Sequence, residues 1–149
     1  MDNKLLNLEK FLLSEIPITR HLGLSVASYE EGCLTLNAPL DENSNHVSTV
    51  FAGSLNAVMT LAGLGQFWLM LKEYGYEAQI VIQNSVVEYV RPVTKSFGAR
   101  CLRPEASVIE NMIKSLSRKG RARLQLTVEI VENGQRAVRS AGRYVATLS

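Results

Sequence analysis

The sequence predicts an α+β fold in which an antiparallel β-sheet wraps around one long central helix. Three observations carry this. The segment from Gly53 to Tyr74 is apolar on nearly every side, the pattern of a helix buried all round. Two strand-like runs precede it and four follow it, each short and several rich in β-branched residues. Glu31-Gly32 and Asn133-Gly134 read as tight hairpin turns, so neighbouring strands run antiparallel.

Taken in order, the chain opens with Leu5, Leu6, Leu8, Phe11, Leu12 and Leu13 mixed with Asp2, Glu9 and Glu15, which reads as an amphipathic N-terminal helix. Ile16-Pro17 ends or turns it, because a proline disfavours helix in the residue before it. Leu24 to Glu30 and Cys33 to Ala38 are strands, and in the second Leu34, Leu36 and Ala38 share one face. Pro39 to Thr49 is a polar loop. The long helix stops near Gly75, and its small residues Ala57, Ala62, Gly63 and Gly65 admit close neighbours. Ala78 to Val90 is a long strand that breaks at Arg91-Pro92-Val93, and Phe97 to Arg103 is another. Pro104 to Leu116 reads as a loop, a short helix or both. Arg121 to Val131 alternates most clearly, with Leu124, Leu126, Val128 and Ile130 opposite Arg123, Gln125, Thr127 and Glu129. Ala137 to Thr147 is the last strand. The open edges of such a sheet favour pairing with a second copy, so a homodimer or higher homo-oligomer is expected.

Composition narrows the function classes. At 149 residues the chain reads as a single domain over 1–149, and 46% hydrophobic with 20% charged residues is ordinary for a soluble protein. The start lacks the basic, unbroken apolar and small-residue regions of a signal peptide. The apolar run Leu55 to Leu71 is interrupted by polar residues and glycines and is shorter than the ~20 residues a membrane span needs. Cys33 and Cys101 match no metal or redox spacing and read as reduced thiols of a cytoplasmic protein. Two isolated histidines, His21 and His46, complete no metal site. No Gly-x-Ser-x-Gly elbow is present, and Ser54 has no adjacent base. Charge is divided unevenly: residues 1–90 hold 4 Lys/Arg and 10 Asp/Glu, residues 91–149 hold 12 and 4. The basic half either faces an anionic partner or the acidic half of a second copy, or is simply scattered, solvated charge.

The stretch NHVSTVFAGSLNAVMTLAG, Asn45 to Gly63, is unusual because a buried helix begins with a glycine after an Asn-His pair and carries Asn56 and Thr60 inward. Asn45 to Gly53 is similar to the Asn…Phe-Gly-Gly segment that opens the central helix of hotdog-fold acyl-CoA thioesterases. Tyr89-Val-Arg-Pro-Val93 resembles the strand-ending Arg-Pro pattern of the same superfamily. With Ile16-Pro17, Thr49, Phe51-Ala-Gly-Ser54 and Ile80-Val-Ile82, the resemblance covers nearly the whole chain. It is closest to the thioesterase-type domain at the C-terminus of GNAT-type acetyltransferases, the YiiD-like C-terminal domain.

That resemblance implies a hotdog fold and hydrolysis of acyl-CoA or acyl-carrier-protein thioesters in fatty-acid metabolism. Coenzyme A or phosphopantetheine would enter as part of the substrate, with no separate cofactor. It also implies roles for residues. The free amides at the start of the helix, at Gly53 and Ala52, would hold the thioester carbonyl as charge develops on it; the alternative is that Gly53 only permits close packing. In many hotdog thioesterases a helix carboxylate stands nine residues beyond the Phe, and here that position is Thr60. Phe51 likewise stands where related enzymes have a histidine, and the helix from Gly53 to Met70 has no Asp or Glu. Asn45, His46 and Thr60 are left to arrange or deprotonate water. Each also has a plain structural reading: Asn45 as a loop or cap residue, His46 as a surface histidine, Thr60 as a hydroxyl bonded to its own helix. The acyl chain would lie near Phe51 and Leu55, and one of Gln83 and Asn84 would face the helix or a partner subunit, with Asn84 the candidate to touch the substrate. Arg118, Lys119, Arg121 and Arg123 would line the mouth for a phosphorylated carrier or an acidic carrier protein. They would otherwise be a solvated strand end. A nucleic-acid patch is disfavoured because no aromatics interleave the run.

Three rivals remain. The missing helix acid favours a module that binds acyl thioesters without cleaving them. A hydroxyacyl dehydratase needs a His in a Phe-Pro-Gly context paired with a helix acid, and His46 has neither. An accessory or condensing role in fatty-acid synthesis lacks a suitably placed nucleophilic Cys.

Overall fold

A computed structural model describes residues 2–149. Helix α1 (Asn3–Glu15) is capped by the Asp2 carboxylate, which accepts from the Lys4 amide at 2.9 Å, and it buries Leu8 and Leu12. Pro17 does more than end α1: it opens a second short helix, α2 (Ile18–Leu22). The Thr19 hydroxyl ties the two helices together by donating to the Leu12 and Ile16 carbonyls at 2.9 and 2.7 Å.

Strands β1 (Ser25–Glu30) and β2 (Cys33–Ala38) form the expected hairpin, with Glu31 and Gly32 both at positive φ, 52° and 74°. That turn geometry follows the right-handed strand twist. After a single 3-10 turn at Asp41–Asn43 comes α3 (Ala52–Glu73), followed by β3 (Ala78–Tyr89), β4 (Phe97–Cys101), α4 (Ala106–Lys119), β5 (Arg121–Glu132) and β6 (Gln135–Leu148). The six strands form one sheet in the order β1-β2-β4-β5-β6-β3, and each pairing is antiparallel. Asn133 and Gly134 again supply a two-residue turn at positive φ, between β5 and β6.

The sheet curls around α3 because its inward faces are apolar. On β5 Ala122, Leu124, Leu126, Val128 and Ile130 are buried, while Arg121, Arg123 and Gln125 between them are exposed. On α3, Val58, Met59, Ala62, Phe67 and Met70 are fully enclosed. Burying each large side chain contributes roughly 1.5–3 kcal/mol. Gly63 has no room for a side chain, since a Cβ there would overlap the Tyr144 ring and hydroxyl. Tyr144 Oη donates to the Thr60 carbonyl at 3.1 Å, which pins β6 to the middle of the helix. By length and composition alone this 22-residue helix could cross a membrane, so the shortness expected of the apolar run does not hold; 67% of its most apolar window is buried inside the fold.

The segment left open as loop or short helix is a full helix, α4. Ile109, Met112 and Leu116 recur at i, i+3 and i+7 and are buried on its inner side. The helix packs beside the opening residues of β5, where β4 has already ended, and the Ser115 hydroxyl donates to the Arg121 carbonyl at 2.9 Å. One margin of β5 is thereby covered. The margin of β3 is not: this edge strand exposes Val81, Val86 and Tyr89, and Val90 follows just beyond it.

Candidate active site

The start of α3 is the chemically unusual point of the fold. Helices usually begin with a Ser, Thr, Asp or Asn whose side chain accepts one of the orphan amides. Here the N-cap is Phe51, in extended conformation and with no capping side-chain bond. The Phe51 carbonyl accepts from the amides of Ser54 and Leu55 at 3.0 and 3.1 Å, and the Phe51 amide itself donates to the Asn43 carbonyl at 2.7 Å. The amides of Ala52 and Gly53 have no protein acceptor among the described residues. They carry the positive end of a 22-residue helix dipole.

An open cleft of about 320 Å³ reaches this point. Asn45, Thr49 and Val50 form one wall, Ala52 and Leu55 the floor, and Tyr89 to Val93 the other wall. The walls are joined where the Val50 amide donates to the Val93 carbonyl at 2.8 Å. Tyr89 Oη lies 3.4 Å from the Ala52 carbonyl, at the lip of the helix. Among the described residues, Arg91 is the one charged residue lining the cleft, and no carboxylate does.

Asn45 shapes the loop that forms its wall. Its Oδ1 accepts from the amides of Val47 and Thr49 at 3.0 and 3.1 Å, and its Nδ2 donates to Thr49 Oγ1 at 2.8 Å. One N–H of the amide and the Thr49 hydroxyl proton remain free to meet a ligand or water. Beneath the loop, the buried Asn43 donates to the carbonyls of Leu22 and Pro39 at 2.9 and 2.8 Å, a positioning role the sequence did not signal.

The structure brings some of the expected site residues together and not others. Asn45, Ala52 and Leu55 line the cleft. Gly53 is exposed one step around the helix, where the Phe51 ring, itself 55% exposed, lies over it. His46 sits exposed in the turn between Asn45 and Thr49, and its ring makes no hydrogen bond among the described residues. Thr60 is half-buried eight residues into α3, about 12 Å along the axis from Ala52. It continues a stripe of half-buried residues spaced by four, Asn56, Thr60, Leu64 and Trp68. Asn84 is exposed on the open strand β3, just past a bulge at Gln83. The basic run is divided: Arg118 and Lys119 close α4, while Arg121 and Arg123 begin β5. Tyr89, Arg91 and Pro92 are cleft residues that the Tyr-Val-Arg-Pro-Val signature pointed to without a role.

Residues 5–148 match the family described as "Putative thioesterase (yiiD_Cterm)". The chain belongs to the YiiD_C thioesterase family. Solved structures agree with this assignment. A putative thioesterase from Shewanella oneidensis is 29% identical, with 99% of each chain covered and a TM-score of 0.89. A protein of unknown function from Chlorobaculum tepidum is 27% identical over 97% of this chain and 94% of its own, with a TM-score of 0.93. The phenylacetic acid degradation protein PaaI of Thermus thermophilus, in a mutant form, is 18% identical, covering 89% of this chain and 99% of its own at a TM-score of 0.61. At that identity it shares the fold alone. The YiiD_C chain therefore has the hotdog fold its helix-opening and Arg-Pro segments implied, and its family is one of thioesterases.

Proposed function

We propose that the protein hydrolyses acyl-CoA or acyl-carrier-protein thioesters in the cleft at the start of α3. The uncapped first turn carries this reading: the amides of Ala52 and Gly53 lack acceptors, and Ala52 lines the cleft floor. A thioester oxygen placed there receives donors and dipole where its negative charge grows, the arrangement that most lowers acyl-transfer barriers. Water adds to the carbonyl carbon, the C–S bond then breaks, and the thiolate leaves to be protonated by solvent. The free N–H of Asn45 and the Thr49 hydroxyl hold that water from one wall, and Tyr89 Oη and Arg91 face it from the other. His46, beside Asn45 in the same loop, carries the imidazole that takes the proton released by that water. Thr60 and Phe51 border the acyl path with Leu55.

The active form is a homodimer in the cytoplasm, joined through the open margin of β3. A twelve-residue strand exposing valines is a template for pairing. Sedimentation that finds only monomers at micromolar concentration would remove this part.

The deciding assay measures free thiol released from coenzyme A thioesters ranging from acetyl to palmitoyl, for the wild type and Ala52→Pro. Proline is well tolerated at the first helical position, and Phe51 at φ −60° and ψ 132° already has the conformation required before one. The substitution deletes one donor and leaves the helix intact, so kcat/KM should fall about 10²- to 10³-fold with little change in stability. Undiminished turnover would overturn the carbonyl assignment. One observation favours a second reading, a module that binds acyl thioesters without cleaving them: no carboxylate among the described residues lines the cleft. Tight acyl-CoA binding without thiol release from any member of the series would establish that reading instead.

A further inference from the structure

We infer that the outer face of β5, β6 and β3 is a docking surface for anionic lipid, which holds the protein against a membrane without crossing it. A chain with no hydrolase activity would carry the same face. Arg121 and Arg123 alternate with buried Ala122 and Leu124, so they stand on the side of the sheet turned away from α3 and its cleft. On β6 Tyr144 points inward to Gly63, and the same alternation turns its neighbour Arg143 outward. The strand register sets the three arginines on one face. Arg121 stands level with Thr147 and Gln79, Arg123 with Val145 and Val81, and Arg143 lies between Gln125 and Asn84. These rows are about 7 Å apart along the strands. No acid stands in them or in the row that follows, which ends at Val86. Acids return only one row further on, where Glu129 and Glu88 flank Arg139 and Glu129 also meets Arg100 and Arg136 at 4.0 and 3.8 Å. The other ion pairs among the described residues are Lys72–Glu77 and Arg103–Glu73, so the three outward arginines are uncompensated.

The form of the face selects among anionic partners. Its rows hold no aromatic residue, so bases find nothing to stack on. A sheet face projects no helix or ribbon to enter a duplex groove. The aromatic anchors around which protein interfaces are built are missing too. A second copy of the same face would set arginine against arginine. What the rows do offer is spread positive charge with small apolar side chains between. Guanidinium groups pair with lipid phosphates, and Val81 and Val86, 62% and 63% exposed, meet the headgroup layer beside them. Pairing of β3 with a copy lies in the plane of the sheet and leaves this face open.

The test mixes the full chain with vesicles of phosphatidylcholine, either alone or with about 30% phosphatidylglycerol, and measures bound protein by co-flotation. The wild type should float with the anionic vesicles and not the neutral ones at about 0.1 M salt, and should be released at about 0.5 M. Arg121→Gln/Arg123→Gln/Arg143→Gln should partition about 100-fold more weakly, and Arg143→Gln alone about 5-fold. The single variant keeps the test decisive if circular dichroism shows the triple variant misfolded. Arg121→Lys/Arg123→Lys/Arg143→Lys should stay within about 5-fold of the wild type, because a lipid surface answers to charge more than to donor geometry. Its complete loss of binding would mean a shaped site and overturn the lipid assignment. A wild type that ignores anionic vesicles, or a folded triple glutamine variant that floats equally well, also overturns it. So does binding to an acidic carrier protein or to duplex RNA without binding to vesicles, which would give the face to that partner instead.

Discussion

Val50 and Val93 are joined by a 2.8 Å backbone hydrogen bond, and this one contact makes a cleft out of two segments far apart in the chain. The segment that opens α3 becomes one wall and the segment that ends β3 the other. Neither has the site alone. The chemistry lies where the loop before a helix leans on the loop after a strand.

Gly53→Val should leave the fold intact and reduce thiol release to background. Its side chain would displace the Phe51 ring, which is exposed enough to swing away, and the bulk would then stand at the helix mouth. Circular dichroism with a turnover assay checks both halves. A folded Gly53→Val protein with normal turnover would show that the carbonyl binds elsewhere.

Phe51→Asp should trade activity for stability. A carboxylate at this N-cap can accept the free Gly53 amide and complement the dipole, stabilising the protein by about 1 kcal/mol. That raises Tm by roughly 2–4 °C in a chain of this size. The same charge sits where the oxyanion would form, so turnover should fall about 100-fold or more. A variant both more stable and fully active contradicts the site.

Gly63→Ala should destabilise the protein by about 1–3 kcal/mol, because the new methyl group overlaps the Tyr144 ring. Tyr144→Phe should cost about 1 kcal/mol through loss of the bond to the Thr60 carbonyl. Combined, the two should cost less than their sum, since Tyr144→Phe removes the nearest overlapping atom and frees the ring from the Thr60 carbonyl so that it can shift. Strict additivity in urea titrations would mean that the two residues do not touch.

Stability should decline at alkaline pH. Burial pushes the Cys101 thiol and the Tyr144 phenol above their ordinary values of 9.0 and 10.0. The folded state keeps these protons where the unfolded chain releases them. The unfolding free energy therefore falls as pH rises past the unfolded values, by up to ~1.4 kcal/mol per pH unit for each group. Urea midpoints followed from about pH 8 to about pH 10.5 should drop, and Cys101→Ala should remove the earlier part of the decline. A flat wild-type curve would contradict the burial of both groups.

Most of the architecture was legible because it follows from local periodicity. Alternation on β5, a helix apolar all round and two-residue turns each specify themselves within a dozen residues. α4 was less legible: its serines, asparagine and charges hid an apolar stripe only three residues long, Ile109, Met112 and Leu116. α2 was missed because five residues carry too little period to be seen. The mouth of the site was legible as an odd helix start. Its opposite wall was not, because the approach of Tyr89 and Arg91 to Ala52 depends on the Val50–Val93 contact rather than on any nearby residue. The basic run looked continuous in sequence, yet Gly120, in a left-handed cap at φ 70°, breaks it between a helix and a strand.

The enclosure of α3 has a consequence for synthesis. β2 must pair with β4, and β6 with the much earlier β3, before the helix is covered. A ribosome therefore releases this apolar rod well before the strands that sheath it exist. Such distant pairing makes for slow assembly, and the nascent chain is a natural client for a holding chaperone until the last hairpin, β5 and β6, closes.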